Sequence, residues 1–464
     1  MRENTSLVIF EEWGGASLSA IWQYLIQAAE TKSVRANIMI STLSGVEFAQ
    51  DTVLTAGMLR VISADTSFKN IESIFYFDDA LTEAKLCSYL RCSTGELSTI
   101  SELYKPHLHD GLLRCGCALL KASSALSFRL TLLATCLTYE FERTAFCLWL
   151  VVLESEKFAR NESDFLGLFL TALVHDVGLL DIDKKFTHYD HDPRSSKDDV
   201  QGYYRHIYHS EHFAKTWLAA SPKVINGIRE HHEVMDGTGY PNGRSGNQLC
   251  EYGQHIHMYD TMFSVFNRLY KPAGKNLADL TPIIEINAVT HFGRVAMRVV
   301  ELLAGSSRST GALFSPDEEP RLQSEIAAMA VFVETALAII QDFTHAVGFR
   351  HDDRPLFSLQ NSFIHISLSY FKLRQRYSRA STPEQNESNQ EQAKEEGFGA
   401  NMDAGLAAEE CFLAMREIIF HINKFLYRLR VYRHAGQGES GDMIRAEAEK
   451  TVQKLTELNI KLIH

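Results

Sequence analysis

The chain has 464 residues, a formal net charge of −12 and 45% hydrophobic residues. That length exceeds one ordinary core, so about two or three domains are expected, and the apolar fraction is that of a globular protein. The acidic balance argues against a general nucleic-acid binder, and no DNA partner is expected.

Eight cysteines stand at 87, 92, 115, 117, 136, 147, 250 and 411, with no Cys-x-x-Cys pair. They read as reduced thiols of a cytoplasmic protein, not as a disulfide framework or a zinc knuckle. The start, MRENTSLVIFEEW, carries acidic residues where a secretory signal needs an apolar core. The longest apolar run, Thr144 to Leu153, falls short of the roughly 20 residues that span a bilayer. A cytoplasmic chain without a membrane span is expected.

In chain order, residues 1–110 carry the short apolar runs SLVIF, ANIMI, MLRVI and SIFYF, read as strands, between helical stretches such as LSAIWQYLIQAAE. This predicts a small α/β domain, regulatory by its position only. Residues 111–305 are dense in leucine and alanine at three- and four-residue spacing, which predicts a mostly helical domain. Within it, 187–201 is a polar loop by composition. Residues 306–378 predict a helical extension, with helices over Arg321–Val347 and Gln360–Tyr377. Residues 379–404 are polar and charged, as a flexible linker is. Residues 405–464 predict two further helices, the last with a stripe of Val452, Leu455, Leu458 and Leu462. Such a stripe is more often bundle core than a partner site. These C-terminal helices are the candidate surface for a homodimer or a protein partner.

Two clusters in the helical domain carry chemistry. Val174-His175-Asp176-Val177-Gly178 ends the apolar run LFLTALV. A carboxylate at the end of a buried helix needs a partner for its charge, and a metal ion supplies one. An isolated His-Asp pair is more often a plain helix end with a capping aspartate. The second cluster, His231-His232-Glu233-Val234-Met235-Asp236-Gly237-Thr238-Gly239-Tyr240-Pro241, changes that balance. Neighbouring residues on a helix point about 100° apart, so both histidines reach one site only near a helix end. The glycines supply the sharp turn, and Pro241 stiffens the exit. Imidazole and carboxylate are ligands for divalent first-row metals.

These two segments resemble the HD-GYP family of metal-dependent phosphohydrolases, over roughly residues 130–300, through HDVG and HHEVMDGTGYP. The resemblance implies a mostly α fold: an all-helical HD-GYP core, here with the small α/β N-terminal domain and the helical C-terminal region. It implies cleavage of cyclic di-GMP to linear pGpG or GMP, in bacterial second-messenger signalling, at a centre of two divalent ions, iron or manganese. It makes metal ligands of His175 and Asp176, with Asp176 bridging, of His231 and His232, and of Asp260 in HIHMYDTMF. Of His206, His209 and His212 one matches the family's middle histidine; His209 is preferred by the apolar run that follows, and His206 is the runner-up by its spacing to His231. Arg268 and Lys271 resemble the family's phosphate-binding segment, one residue short in spacing. Glu233, Asp236, Gly237, Gly239, Tyr240 and Pro241 form the motif loop.

The sequence also departs from the family. Leu179 stands where a phosphate-contacting lysine is usual, and Phe263 where a second aspartate is usual. The upstream histidine is missing: the corresponding region is Tyr139 to Thr144, in which Glu140 or Glu142 could supply an oxygen ligand and Arg143 would repel a cation. The alternative is therefore a catalytically degenerate module that binds nucleotide or protein partners and signals by conformation. His107, His109 with Asp110, His188, His191, His345 and His351 are read as loop or helix-end residues without a site role.

Overall fold

The computed structural model describes residues 14–64, 70–93, 98–158, 161–187, 197–309, 314, 316–350, 353–378, 404–432 and 439–463. It divides into two compact units. The first comprises Met1–Ser93, Lys105–Asp190 and Ser195–Arg229; the second comprises Thr94–Tyr104, His191–Arg194 and Glu230–His464. This division differs from the expected succession of domains. The N-terminal segment does not stand apart: the Gly14–Ala28 helix packs on the Ser124–Cys136 helix and on the turn after the His-Asp doublet. Its Ala20, Ile21, Trp22, Tyr24, Leu25 and Ala28 are buried, and burying that apolar face is what joins the two segments.

The β content of the first unit is small. Val34–Ala36 pairs antiparallel with Val53–Leu54 and with Phe75–Phe77, Val34 standing opposite Leu54 and Phe77. Ile40–Ser41 pairs with Glu47–Phe48. MLRVI, expected as a strand, lies in the helix Ala56–Ser63. Thr55 caps that helix by accepting from Met58 N at 3.3 Å, and Leu59 and Ile62, three residues apart, are the buried pair. SIFYF is half helix and half strand. SLVIF lies outside the described residues.

The rest of the first unit is helical. Thr138–Phe158 and Glu162–Val174 pack together and bury Trp149, Phe165 and Phe169. Asn161 begins the second of them by accepting from Asp164 N at 2.9 Å. The long helix Lys197–Leu218 packs on the Val177–Asp181 turn. Arg129, at a relative exposure of 7%, is clamped between Glu72 and Asp181, so its buried charge is matched on both sides.

In the second unit, the motif segment leads into the helix Glu251–Val265 and a π-helical turn, Phe266–Tyr270. Thr281–Asn287 likewise runs into a π turn, Ala288–Phe292. Among the described residues the C-terminal part carries four long helices: Glu319–Val347, Arg354–Ser378, Ala404–Tyr432 and Glu439–Ile463. Arg354–Ser378 begins six residues before the expected Gln360, because Asp353 accepts from Leu356 N at 3.0 Å and Pro355 suits a first turn. Val452 and Leu455 of the expected stripe are buried. The expected linker falls at residues 379–403, outside the described ones.

Among the described residues, two segments are long and apolar enough to cross a membrane by length and composition: Glu162–Asp181, whose apolar window is 72% buried, and Glu319–Val347, 28% buried. The bent pair Pro106–Ala122 and Ser124–Cys136 makes a third if it counts as one span. The expectation from the Thr144–Leu153 run missed them. In the first, Glu162 and Asp164 lie in the opening turn and a 3-10 turn extends the apolar stretch past His175.

Candidate metal centre

The Glu162–Val174 helix ends at His175, and the chain turns at once into the 3-10 segment Val177–Asp181. Gly178 is what makes the turn possible. A Cβ there would lie 2.1 Å from His206 O and 2.5 Å from Ser210 N. Gly178 N also donates to Ser210 Oγ at 2.8 Å. The doublet is thus pressed against one face of the Lys197–Leu218 helix, the face that carries His206 and Ser210.

That contact selects the middle histidine. His206 Nε2 lies 3.4 Å from Asp176 Oδ1, with both side chains buried. His209, the preferred residue from sequence, is about 60° further round the helix. Burial lowers its pKa, partly offset by the charge of Asp181. His212 is exposed.

The two histidines at Asp176 share a tautomer. His175 Nδ1 lies 2.8 Å from Ala172 O and His206 Nδ1 lies 2.6 Å from Tyr203 O. A carbonyl can only accept, so each Nδ1 carries the proton and each Nε2 keeps its lone pair. Those Nε2 atoms lie 3.3 and 3.4 Å from the Asp176 carboxylate. His206 Nε2 faces Oδ1 and His175 Nε2 faces Oδ2. Acceptors facing acceptors in a dry site need a cation or a shared proton among them, and on the Oδ1 side Asp176 and His206 fit a divalent ion.

The other side does not fit one. Arg143 Nη2 is bonded to Asp176 Oδ2, with the arginine side chain 10% exposed. The guanidinium occupies the carboxylate oxygen that a bridging Asp176 would offer to a second ion. Of the two substitutes weighed for the missing histidine, Glu142 is exposed and Glu140 is buried. Leu179, fully buried, is core and not a surface for phosphate.

In the second unit the motif residues build a tight loop. His231 and His232 have ring centroids 4.0 Å apart, and Tyr240 stacks on His232 at 4.5 Å. Glu233 is a buried bracket: its carboxylate accepts from Asn242 N at 2.7 Å and Arg244 N at 2.9 Å, and burial raises its pKa. Asp236 Oδ1 accepts from Thr238 N at 2.9 Å, and Asn361 donates to Asp236 O at 2.6 Å. Gly237 has φ of +77°, and a Cβ on Gly239 would lie 2.4 Å from Glu233 Cα. Both glycines are therefore required by geometry. Pro241 follows a cis bond from Tyr240. Arg428 donates to Thr238 O from the Ala404–Tyr432 helix.

Asp260 is buried in the Glu251–Val265 helix, and Phe263 is a core residue of the same helix. The expected phosphate pair is split. Arg268 Nη2 is 2.6 Å from Glu417 Oε2, and its guanidinium lies 4.0 Å from the Phe420 ring centroid. A charge held by a buried carboxylate and an aromatic face is structural cement, which sequence spacing cannot reveal. Lys271 is exposed.

Sequence reasoning missed a second cluster altogether. His291, His365 and His421 come from three different segments, with His291 and His365 ring centroids 3.9 Å apart. Burial lowers the pKa of His291 and of His365 far enough to keep them neutral at pH 7, and it pushes the Lys424 amine down to about 7. His345, which the sequence places at a helix end, is exposed. His107 is also exposed, and His109 Nδ1 accepts from Lys105 N at 2.9 Å at a helix start. His188, His191 and His351 lie outside the described residues.

Residues 147–281 match the HD domain family. They contain the His175-Asp176 doublet, the His206 helix, the His231-His232 motif and Asp260. This segment is an HD domain. Its HD-GYP features are those named above, with the stated departures. An HD domain implies a divalent metal and supports a hydrolase in general terms.

Solved structures that resemble the chain include a phosphodiesterase and an HDG"Y"P protein. One is the crystal structure of a cyclic GMP-AMP specific phosphodiesterase of V. cholerae, V-cGAP3. It is 15% identical, over 68% of this chain and 82% of that one, with a TM-score of 0.29. The other is Bd1817, an HDG"Y"P protein from Bdellovibrio bacteriovorus. It is 14% identical, over 59% of this chain and 94% of that one, with a TM-score of 0.31. No curated protein matches.

Proposed function

We propose that the HD domain is a metal-dependent phosphodiesterase that opens a cyclic dinucleotide, cyclic di-GMP first among them, to linear pGpG or GMP. The observation that carries this is His206 Nε2 facing Asp176 Oδ1 at 3.4 Å, with His175 Nε2 at 3.3 Å from Oδ2. In this reading His206 takes the role expected of His209. The HD-GYP resemblance adds His231, His232 and Asp260 to the ligand set. One ion, iron or manganese, is proposed in place of two, because Arg143 already neutralises the far oxygen of Asp176.

When bound, a divalent ion supplies hydroxide near neutral pH and stabilises charge in an in-line displacement at phosphorus. The protein's own part is positioning. Ala172 O and Tyr203 O fix both imidazole tautomers, Arg143 orients the carboxylate, and Glu233 holds the motif loop. With Arg268 committed to Glu417, Lys271 is the phosphate contact kept from the expected pair.

A second reading rests on the same arginine. A guanidinium in the position of an ion makes the domain a nucleotide-binding signalling module without turnover. The deciding experiment incubates the manganese- or iron-loaded full chain with cyclic di-GMP and resolves the products by chromatography. Linear dinucleotide that accumulates with time and disappears in His206→Ala, but persists in His209→Ala, is the expected result. Binding of cyclic di-GMP without product, under conditions where the metal is shown to be bound, gives the second reading instead.

A further inference from the structure

We propose that His291, His365 and His421 form a second divalent-metal site, of the three-imidazole type that zinc and its first-row neighbours favour. The three residues share no sequence motif. They stand in the π turn Ala288–Phe292, the helix Arg354–Ser378 and the helix Ala404–Tyr432. Each offers one donor nitrogen, and the three donors lie within 4.8 Å of one another. The ring centroids are 3.9, 4.9 and 5.4 Å apart. His291 and His365 are at 8% and 2% relative exposure, so the donors converge away from water.

The surroundings match what ligating imidazoles need. A metal-bound histidine usually passes its other ring nitrogen to a carboxylate, which fixes the ring and raises its basicity. Glu417 Oε1 lies 3.4 Å from His421 Nε2, while Asp236 Oδ2 stands near His291 Nδ1 at 3.6 Å, outside hydrogen-bond distance. Three imidazole ligands leave a fourth position open, as in zinc sites with three protein ligands. Imidazole donors without a carboxylate among them suit zinc, copper, iron or nickel over magnesium or calcium.

The site would have a structural consequence. Asp236 belongs to the motif loop, which already receives hydrogen bonds from Asn361 and Arg428 of the same two long helices. An ion held by His291, His365 and His421 would pin that loop to those helices. A chain whose C-terminal helices respond to a signal could thereby change the loop that carries His231 and His232.

This proposal is independent of the phosphodiesterase reading, and its test keeps the two apart. The full chain carrying Asp176→Ala and His206→Ala, which disables the HD ligand set, is stripped with chelator and titrated with cobalt(II). Visible d–d absorption and equilibrium dialysis are the readouts. We expect one cobalt per chain to remain in this background. Adding His365→Gln, or separately His421→Gln, should weaken that binding by well over tenfold. Asp236→Asn should keep the spectrum and weaken affinity about tenfold, as loss of a supporting carboxylate does. In the wild type, zinc should raise the melting temperature by mass action, and the rise should shrink in His421→Gln. No cobalt bound by the Asp176→Ala, His206→Ala chain, shown to be folded by circular dichroism, would overturn the site. So would binding that both glutamine variants leave unchanged.

Discussion

Asp176 stands in the middle of its cluster, with imidazoles around it and the Arg143 guanidinium on one oxygen. In the His291, His365 and His421 cluster the imidazoles are the middle, and the carboxylates of Asp236 and Glu417 stand behind them. The difference lies in what each does when no ion is present. A buried carboxylate cannot wait uncompensated, and the protein supplies its own cation at Asp176. Burial disfavours charge on His291 and His365, so these two imidazoles need no counter-ion when no metal is bound. At one site a guanidinium is bonded to the carboxylate; at the other the nearby cation is the Lys424 amine, which burial pushes down to about 7.

The largest effect should come from removing that guanidinium. Arg143→Ala leaves Asp176 buried without its guanidinium, and a loss of about 3–5 kcal/mol in urea unfolding is expected without metal. Manganese should restore much of this loss, because the freed oxygen becomes a ligand. If manganese gives no more protection to Arg143→Ala than to the wild type, arginine and ion do not compete, and the contrast drawn above fails.

Gly178→Ala should come next. The added methyl meets the backbone of the His206 helix, and overpacking of this kind costs about 1–3 kcal/mol. It should also push His206 away from Asp176 and weaken metal binding at the HD set. The His291, His365 and His421 set lies in other segments and should keep its cobalt spectrum.

Arg268→Ala distinguishes cement from a substrate contact. A charged hydrogen bond to the buried Glu417 is worth about 1.5–3 kcal/mol, so the expected loss is in stability. A variant that unfolds like the wild type but loses affinity for cyclic dinucleotide would return Arg268 to the phosphate role the sequence spacing suggested.

Glu211→Gln is the small control. Burial raises the Glu211 pKa, but hydrogen bonds from Arg229 and Lys215 outweigh it, and the net shift is downward. A lowered folded value means the pair's stabilisation is present above the ordinary glutamate range and is lost as pH falls through the lowered value. At pH 7 the variant should lose no more than about 1 kcal/mol, and the gap should close in acid. A gap that persists at low pH would mean that packing, not charge, is what the glutamine removes.

Much of this molecule was legible in one dimension because its signals are local. The HHEVMDGTGYP segment carries its own turn chemistry, and Gly237 and Gly239 are required by the dihedral and contacts of their own loop. Helical periodicity located the long C-terminal helices to within a few residues. It misread MLRVI because a five-residue apolar run suits strand and helix alike, and only the Thr55 cap and the burial of Leu59 and Ile62 decide for helix.

What only the tertiary structure decided are the pairings between distant segments. His206 and His209 are equivalent in sequence, and the choice between them depends on which helix face Gly178 touches. Arg143 sits 33 residues from Asp176 and Arg268 sits 149 from Glu417. His291, His365 and His421 converge from three helical segments with no shared pattern. A sequence determines which chemistry each residue can offer and how its own turn is made. Which donors face the same few cubic ångströms is set by how helices pack, and that depends on apolar contacts spread over the whole chain.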